Sequence, residues 1–222
     1  MNPVDLRLYA LLGPEHGNPA DLVEAARAAV RGGVTLIQYR DKREGARSQV
    51  KTVRLLVEAL AGTGVPVLVN DRVDIAHAAG AAGVHLGQDD LDPRDARAIL
   101  GPRAIVGLTV KNDAHARGLA GAPVDYACIG GVFATASKRN PDPPVGLSGL
   151  AALAAPARAA APGLPVGAIA GIDAGNAASV IGAGAEGIAV ISAIMGQADV
   201  ESAARALRGI VDRALAARGA PA

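Results

Sequence analysis

The 222 residues carry 22 basic against 21 acidic side chains, a formal net charge of +1, with no basic tract and no aromatic platform for stacking bases, which argues against a nucleic-acid partner. Hydrophobic residues make up 50% of the chain, yet there are only three tyrosines, one phenylalanine and no tryptophan, so the core must be built from Ala, Val, Leu and Ile, as suits helices packed on a parallel sheet. Cys128 is the only cysteine, which excludes an intrachain disulfide and a cysteine-rich metal site; with no signal-like N-terminus and no apolar run of membrane-spanning length, the expected location is the cytoplasm and no membrane partner is expected.

In chain order, a first strand is predicted over 6–12, closed by Gly13 and Pro14. Asn18 or Asp21 caps the helix that follows, whose Leu22, Val23, Ala26 and Val30 recur at helical spacing. Gly32 and Gly33 end it. The second strand, 34–39, is an apolar run that turns abruptly into Gln38, Arg40 and Lys42. Helix 46–61, strand 65–69 running into Asn70 and Asp71, a helix closed by 80–83, and strand 84–86 leading to Asp90 repeat the unit. Helix 93–100, strand 104–108, helix 111–120 and strand 124–129 continue it. A long Pro- and Gly-rich loop, 130–146, then precedes helix 147–160, strand 165–169, helix 174–182, strand 186–190 and a final helix, 199–217.

Eight strands alternating with eight helices allow a doubly wound open sheet or a closed barrel. The count and the short spacing favour an α/β (β/α)8 TIM barrel, a single domain over 1–222 with the barrel spanning about 6–217. No Gly-x-Gly-x-x-Gly follows the first strand, which weakens the dinucleotide-binding alternative.

In such a barrel the loops after the strands open on one face, where active sites of this fold lie. Lysines stand only at 42, 51, 111 and 138, so Lys42 two residues after Arg40 at a strand end is not a product of a Lys-rich surface; a planar fork and a mobile point charge suit an anion. Asp71 and Asp90 end adjacent strands and either meet around a hard cation such as Mg²⁺ or cap the helices that follow. Gly171, Ile191 and Ser192 follow the last two strands, where this fold often binds phosphate through backbone N–H groups. Two phosphate corners imply two phosphorylated small molecules or one bisphosphate. His16, His77, His85 and His115 fall in loop, helix or strand positions that read as structural or surface residues.

Seven segments in order, 38–42 (QYRDK), 69–74 (VNDRVD), 83–90 (GVHLGQDD), 107–109 (GLT), 130–138 (GGVFATASK), 171–172 (GI) and 190–194 (VISAI), resemble thiamine-phosphate synthase. The resemblance implies a magnesium-dependent transferase of thiamine biosynthesis. It would join 4-amino-2-methyl-5-hydroxymethylpyrimidine diphosphate to 4-methyl-5-hydroxyethylthiazole phosphate, or its carboxylated form, releasing diphosphate. It places Gln38, Tyr39, Arg40, Asp41, Lys42, Asn70, Thr109 and Lys138 around the pyrimidine diphosphate, with Arg40, Lys42 and Lys138 as catalytic cations and Asp71 and Asp90 on Mg²⁺. Thr135, Ala136, Ser137, Gly171, Ile191 and Ser192 would hold the thiazole phosphate. A homodimer is compatible with the family.

The chain departs from the family pattern at four places: Ala134 stands where Pro is frequent, Ser137 where Thr is common, Ala170 in place of a first Gly before Gly171, and Lys111 where His is frequent. Ser137 keeps the hydroxyl, whereas Ala170 adds a methyl beside the thiazole-phosphate loop. The competing readings are a thiazole tautomerase-like relative, which would place an acid-base His where this chain has Gly131, and a non-catalytic phosphate-ligand binding barrel. A further phosphate-handling isomerase or aldolase lacks an evident Lys or acid-base pair.

Overall fold

The computed structural model describes residues 4–135 and 143–219. All eight strands form: β1 Leu8–Leu12, β2 Leu36–Tyr39, β3 Val67–Asn70, β4 Gly83–Leu86, β5 Ile105–Val110, β6 Tyr126–Ile129, β7 Val166–Ile169 and β8 Ile188–Val190. Each pairs in parallel with the next and β8 returns to β1, closing the barrel. Between them run α1 Pro19–Arg31, α2 Ala46–Ala59, α3 Val73–Ala79, α4 Pro93–Leu100, α5 Asp113–Arg117, α6 Gly146–Ala160, α7 Ala177–Gly182, α8 Ser192–Met195 and α9 Val200–Gly219. Among the described residues no helix is long and apolar enough to cross a membrane.

Local chemistry explains the boundaries. Asn18, not Asp21, caps α1: its Oδ1 accepts from the N–H groups of Ala20 and Asp21, while the Asp21 carboxylate accepts from the Asn18 N–H. The fifth helix is shorter than its apolar pattern predicts, because Asn112 caps it by accepting from the His115 N–H and its C-cap is Gly118. Strand β5 runs two residues further than expected and carries Thr109 within the sheet. The sequence pattern contains no separate signal for α8, a single turn that opens at Ser192.

Side chains alternate between two shells. Ile37, Tyr39, Val67, Val69, Val84 and Leu86 face outward and pack in one continuous core with helix residues such as Leu22, Ala26, Val53 and Leu56. Leu6, Tyr9, Leu11, Leu36, Leu68, Tyr126, Cys128 and Ala189 fill the barrel interior. Burying an aliphatic side chain of this kind contributes roughly 1.5–3 kcal/mol. Cys128 is buried, as its apolar surroundings in the sequence predict. Toward the C-terminal ends of the strands the interior becomes polar, with Gln38 and His85 buried among the apolar residues.

Candidate active site

The strand ends open on a cavity of about 960 Å³ whose wall includes Gln38, Arg40, Lys42, Asn70, Asp71, His85, Asp90, Thr109, Lys111, Thr135, Gly171, Ile191 and Ser192. The structure thus gathers most of the residues that the sequence singled out. Two do not face the cavity. Tyr39 points into the outer core and donates from its hydroxyl to Asp41 Oδ2 at 2.9 Å, and Asp41 Oδ1 accepts from the N–H groups of Arg43 and Glu44 at 2.8 and 3.0 Å. That pair shapes the loop that presents Arg40 and Lys42. Ala136, Ser137 and Lys138 lie outside the described residues.

One corner is acidic and cationic. Asp71 adopts a left-handed backbone, φ 62°, and its N–H donates to the His85 carbonyl at 2.8 Å, which holds the loop after β3 against the end of β4. Lys42 Nζ donates to Asp71 Oδ2, and the Asp90 carboxyl stands beside that of Asp71. Neither carboxylate caps a helix: α3 has Arg72 at its N-cap without a side-chain bond, and α4 is capped by Asp92, which accepts from the Arg94 N–H at 2.7 Å. Asp90 Oδ2 instead accepts from the Gly87 N–H at 2.7 Å, which turns it toward Asp71. Burial raises the Asp71 carboxyl, but the Lys42 ammonium and the Asp90 carboxyl outweigh it and hold Asp71 below its ordinary value. Burial and the facing Asp71 push Asp90 above its own.

Two carboxyl groups held face to face form a hard-oxygen donor set that fits Mg²⁺. Among the described residues no group of three or more His, Cys, Asp or Glu side chains is placed to hold a metal ion, so further oxygens would come from substrate and water.

A second group lies deeper. Gln38 Nε2 donates to Tyr9 Oη, Tyr9 Oη lies 3.0 Å from Tyr126 Oη, and Tyr126 Oη lies 2.8 Å from His85 Nδ1. His85 Nε2 lies 2.9 Å from Thr109 Oγ1. The His85 and Tyr126 rings stack with centroids 5.4 Å apart and planes at 25°. His85, which reads from the sequence as a structural or surface residue, therefore stands in the cavity wall. The alternation in β4, with apolar Val84 and Leu86 on either side, is the signal that turns it inward.

The far corner is formed by backbone. Ala170 and Gly171 both have positive φ, 95° and 63°. A Cβ at Gly171 would stand 2.4 Å from the Ala134 carbonyl oxygen and 2.7 Å from Phe133 Cβ, so glycine is required where the β6–α6 loop packs on this turn. The loop is pinned there by the Phe133 N–H, which donates to the Ala170 carbonyl at 3.0 Å. On the adjoining strand end, after β8, Ser192 and Ala193 occupy the first turn of α8, where N–H groups have no partner within the helix. Asp173, Gln88 and Gln197 also line the cavity.

The model of the family described as thiamine monophosphate synthase matches residues 8–194. The chain is 53% identical over 218 residues to the thiamine-phosphate synthase of Agrobacterium fabrum, covering 98% of this chain and 99% of that one. It is 43% identical over 211 residues to the thiamine-phosphate synthase of Azorhizobium caulinodans, with 95% and 97% covered. Among solved structures it resembles a thiamine phosphate pyrophosphorylase from Pyrococcus furiosus, TM-score 0.81 and 35% identity, covering 96% of this chain and 98% of that one.

Proposed function

The chain belongs to the thiamine-phosphate synthase family, and from that premise we propose how its residues divide the work of joining an aminopyrimidine diphosphate to a thiazole phosphate with release of diphosphate. The observation that carries the reading is the Lys42–Asp71–Asp90 corner at one side of a cavity whose other side is the Ala170–Gly171 turn and the start of α8.

Asp71 and Asp90 would hold Mg²⁺. When bound, the ion supplies positive charge at the diphosphate oxygens and so favours their departure. Arg40 and Lys42 reach the same corner and hold the diphosphate, the guanidinium as a fork and the ammonium as a point charge. By family resemblance Lys138 joins them. The C–O bond to the pyrimidine methylene breaks and its electron pair leaves with the diphosphate. The electron-rich aminopyrimidine spreads the resulting benzylic-type positive charge. The thiazole nitrogen then donates its lone pair to that carbon and completes the C–N bond. No protein nucleophile is needed, so the residues contribute electrostatic stabilisation and alignment.

Gln38, Asn70 and Thr109 surround the pyrimidine ring in this reading, and the Gln38 carbonyl oxygen, buried and unpartnered among the described residues, accepts from its exocyclic amine. Gly171, Ile191 and Ser192, with Thr135, Ala136 and Ser137, hold the thiazole phosphate, chiefly through backbone N–H groups.

The direct test is diphosphate release by the purified protein with both phosphorylated substrates, with and without Mg²⁺. Release that needs both substrates and the metal, accompanied by thiamine phosphate, supports the whole assignment. Full release after chelation would remove the roles given to Asp71 and Asp90. Thiazole-phosphate isomerisation without release would point to tautomerase chemistry.

A further inference from the structure

Five side chains from five strands form one polar chain across the barrel interior: Gln38 of β2, Tyr9 of β1, Tyr126 of β6, His85 of β4 and Thr109 of β5. Gln38, Tyr9 and Tyr126 expose 1%, 2% and 0% of their surface, so water does not compete for these bonds. Counting hydrogens gives the chain a direction, because a hydroxyl has one to give. Tyr9 accepts from Gln38, and its other hydrogen-bond partner among the described residues is Tyr126, so Tyr9 donates to Tyr126. Tyr126 then donates to His85 Nδ1. That leaves the His85 hydrogen on Nε2, from which it is given to Thr109 Oγ1. The Thr109 hydroxyl hydrogen remains to be offered elsewhere. At the other end stands the buried Gln38 Oε1, with no partner among the described residues.

We propose that Tyr9, Tyr126 and His85 are positioning residues that lock this polarity, so that Gln38 presents its carbonyl rather than its NH2 group to the pyrimidine substrate. The inference rests on the reading that Gln38 faces the pyrimidine. Rotating the amide end for end would put an acceptor on Tyr9 and reverse every bond in the chain, moving the His85 hydrogen to Nδ1. The locked arrangement favours a ring bearing an exocyclic amine, a donor, over one bearing a carbonyl, which would set acceptor against acceptor. The discrimination thus belongs to the whole chain of five residues and not to Gln38 alone.

The test combines a spectrum with kinetics. Nitrogen-15 NMR of histidine-labelled protein, with His85 assigned through a His85→Gln variant, reads the tautomer directly. The wild type is expected to carry the hydrogen on Nε2, and Tyr126→Phe to lose that preference. Tyr126→Phe should also raise KM for the pyrimidine diphosphate about tenfold with a smaller change in kcat. KM for the thiazole phosphate should stay unchanged, and the preference for a 4-amino over a 4-oxo pyrimidine diphosphate should fall about tenfold. Tyr9→Phe, which cuts the chain at a different bond, should relax the same preference and stands in if Tyr126→Phe does not fold. A wild-type hydrogen on Nδ1 would overturn the polarity. An undiminished amino preference in a folded Tyr variant would overturn the positioning role. A wild type that makes no thiamine phosphate would overturn the substrate reading itself, an outcome separate from the tautomer.

Discussion

Gly107 of β5 lies against the ring of Tyr126 on β6: a Cβ at Gly107 would stand 2.1 Å from Tyr126 Cζ and 2.4 Å from its hydroxyl oxygen. The absent side chain is the space in which the tyrosine ring reaches across the barrel to His85 and Tyr9. Gly107→Ala should therefore displace the ring and destabilise the protein by about 1–3 kcal/mol. Denaturant unfolding reads that loss, and an unshifted midpoint would show that the ring has other room.

Asp90→Asn removes a carboxylate while an amide oxygen can still accept from the Gly87 N–H. Turnover should fall by on the order of a hundredfold or more. Stability of the metal-free protein should move the other way. The Asp90 carboxyl is raised in the folded state, first by burial and then by Asp71, so the folded protein favours its protonated form and loses stability as pH rises through that raised value. The variant should escape this loss, and melting temperatures compared between acid and neutral pH will show whether it does.

Ala170→Gly addresses the backbone. A residue with a Cβ at φ 95° is strained, and glycine at that position is not. The substitution should stabilise the protein by roughly 1 kcal/mol, a rise of about 2–4 °C in melting temperature for a chain of this size. An unchanged or lower Tm would show that the methyl is accommodated without cost.

Asp41→Asn tests the loop that carries the cations. Burial raises the Asp41 carboxyl, but the N–H groups of Glu44 and Arg43 and the Tyr39 hydroxyl outweigh it and hold Asp41 below its ordinary value. Its contribution to stability is present above the unfolded-state value and disappears as pH falls through the depressed one. The variant should be on the order of 1–3 kcal/mol less stable at neutral pH. The gap between the two proteins should close on acidification, and equilibrium unfolding at neutral and acid pH measures it.

Much of the site was legible because parallel strands are buried on both faces and read as short apolar runs, which leaves the polar residues at their ends conspicuous. Arg40, Lys42, Asn70, Asp71 and Asp90 were visible in this way and all line the cavity. Tyr39 and Asp41 lie within the same run, yet alternation along the strand turns Tyr39 to the helices and the loop turns Asp41 onto its own backbone. Position at a strand end says that a residue is near the cavity; the parity of its place in the strand says whether it faces in.

The order of elements, the eight-strand count, the cationic and acidic strand ends and the family follow from the amino-acid sequence by itself, since each depends on local periodicity or on motifs of a few neighbouring residues. Whether Asp71 and Asp90 cap helices or face each other was decided only by the tertiary structure, as was the entry of His85 into the cavity wall. Long-range bonds hold Asp71 and His85 in place, 29 positions from Lys42 to Asp71 and 41 from His85 to Tyr126. Closing the barrel is what brings them within reach of one another.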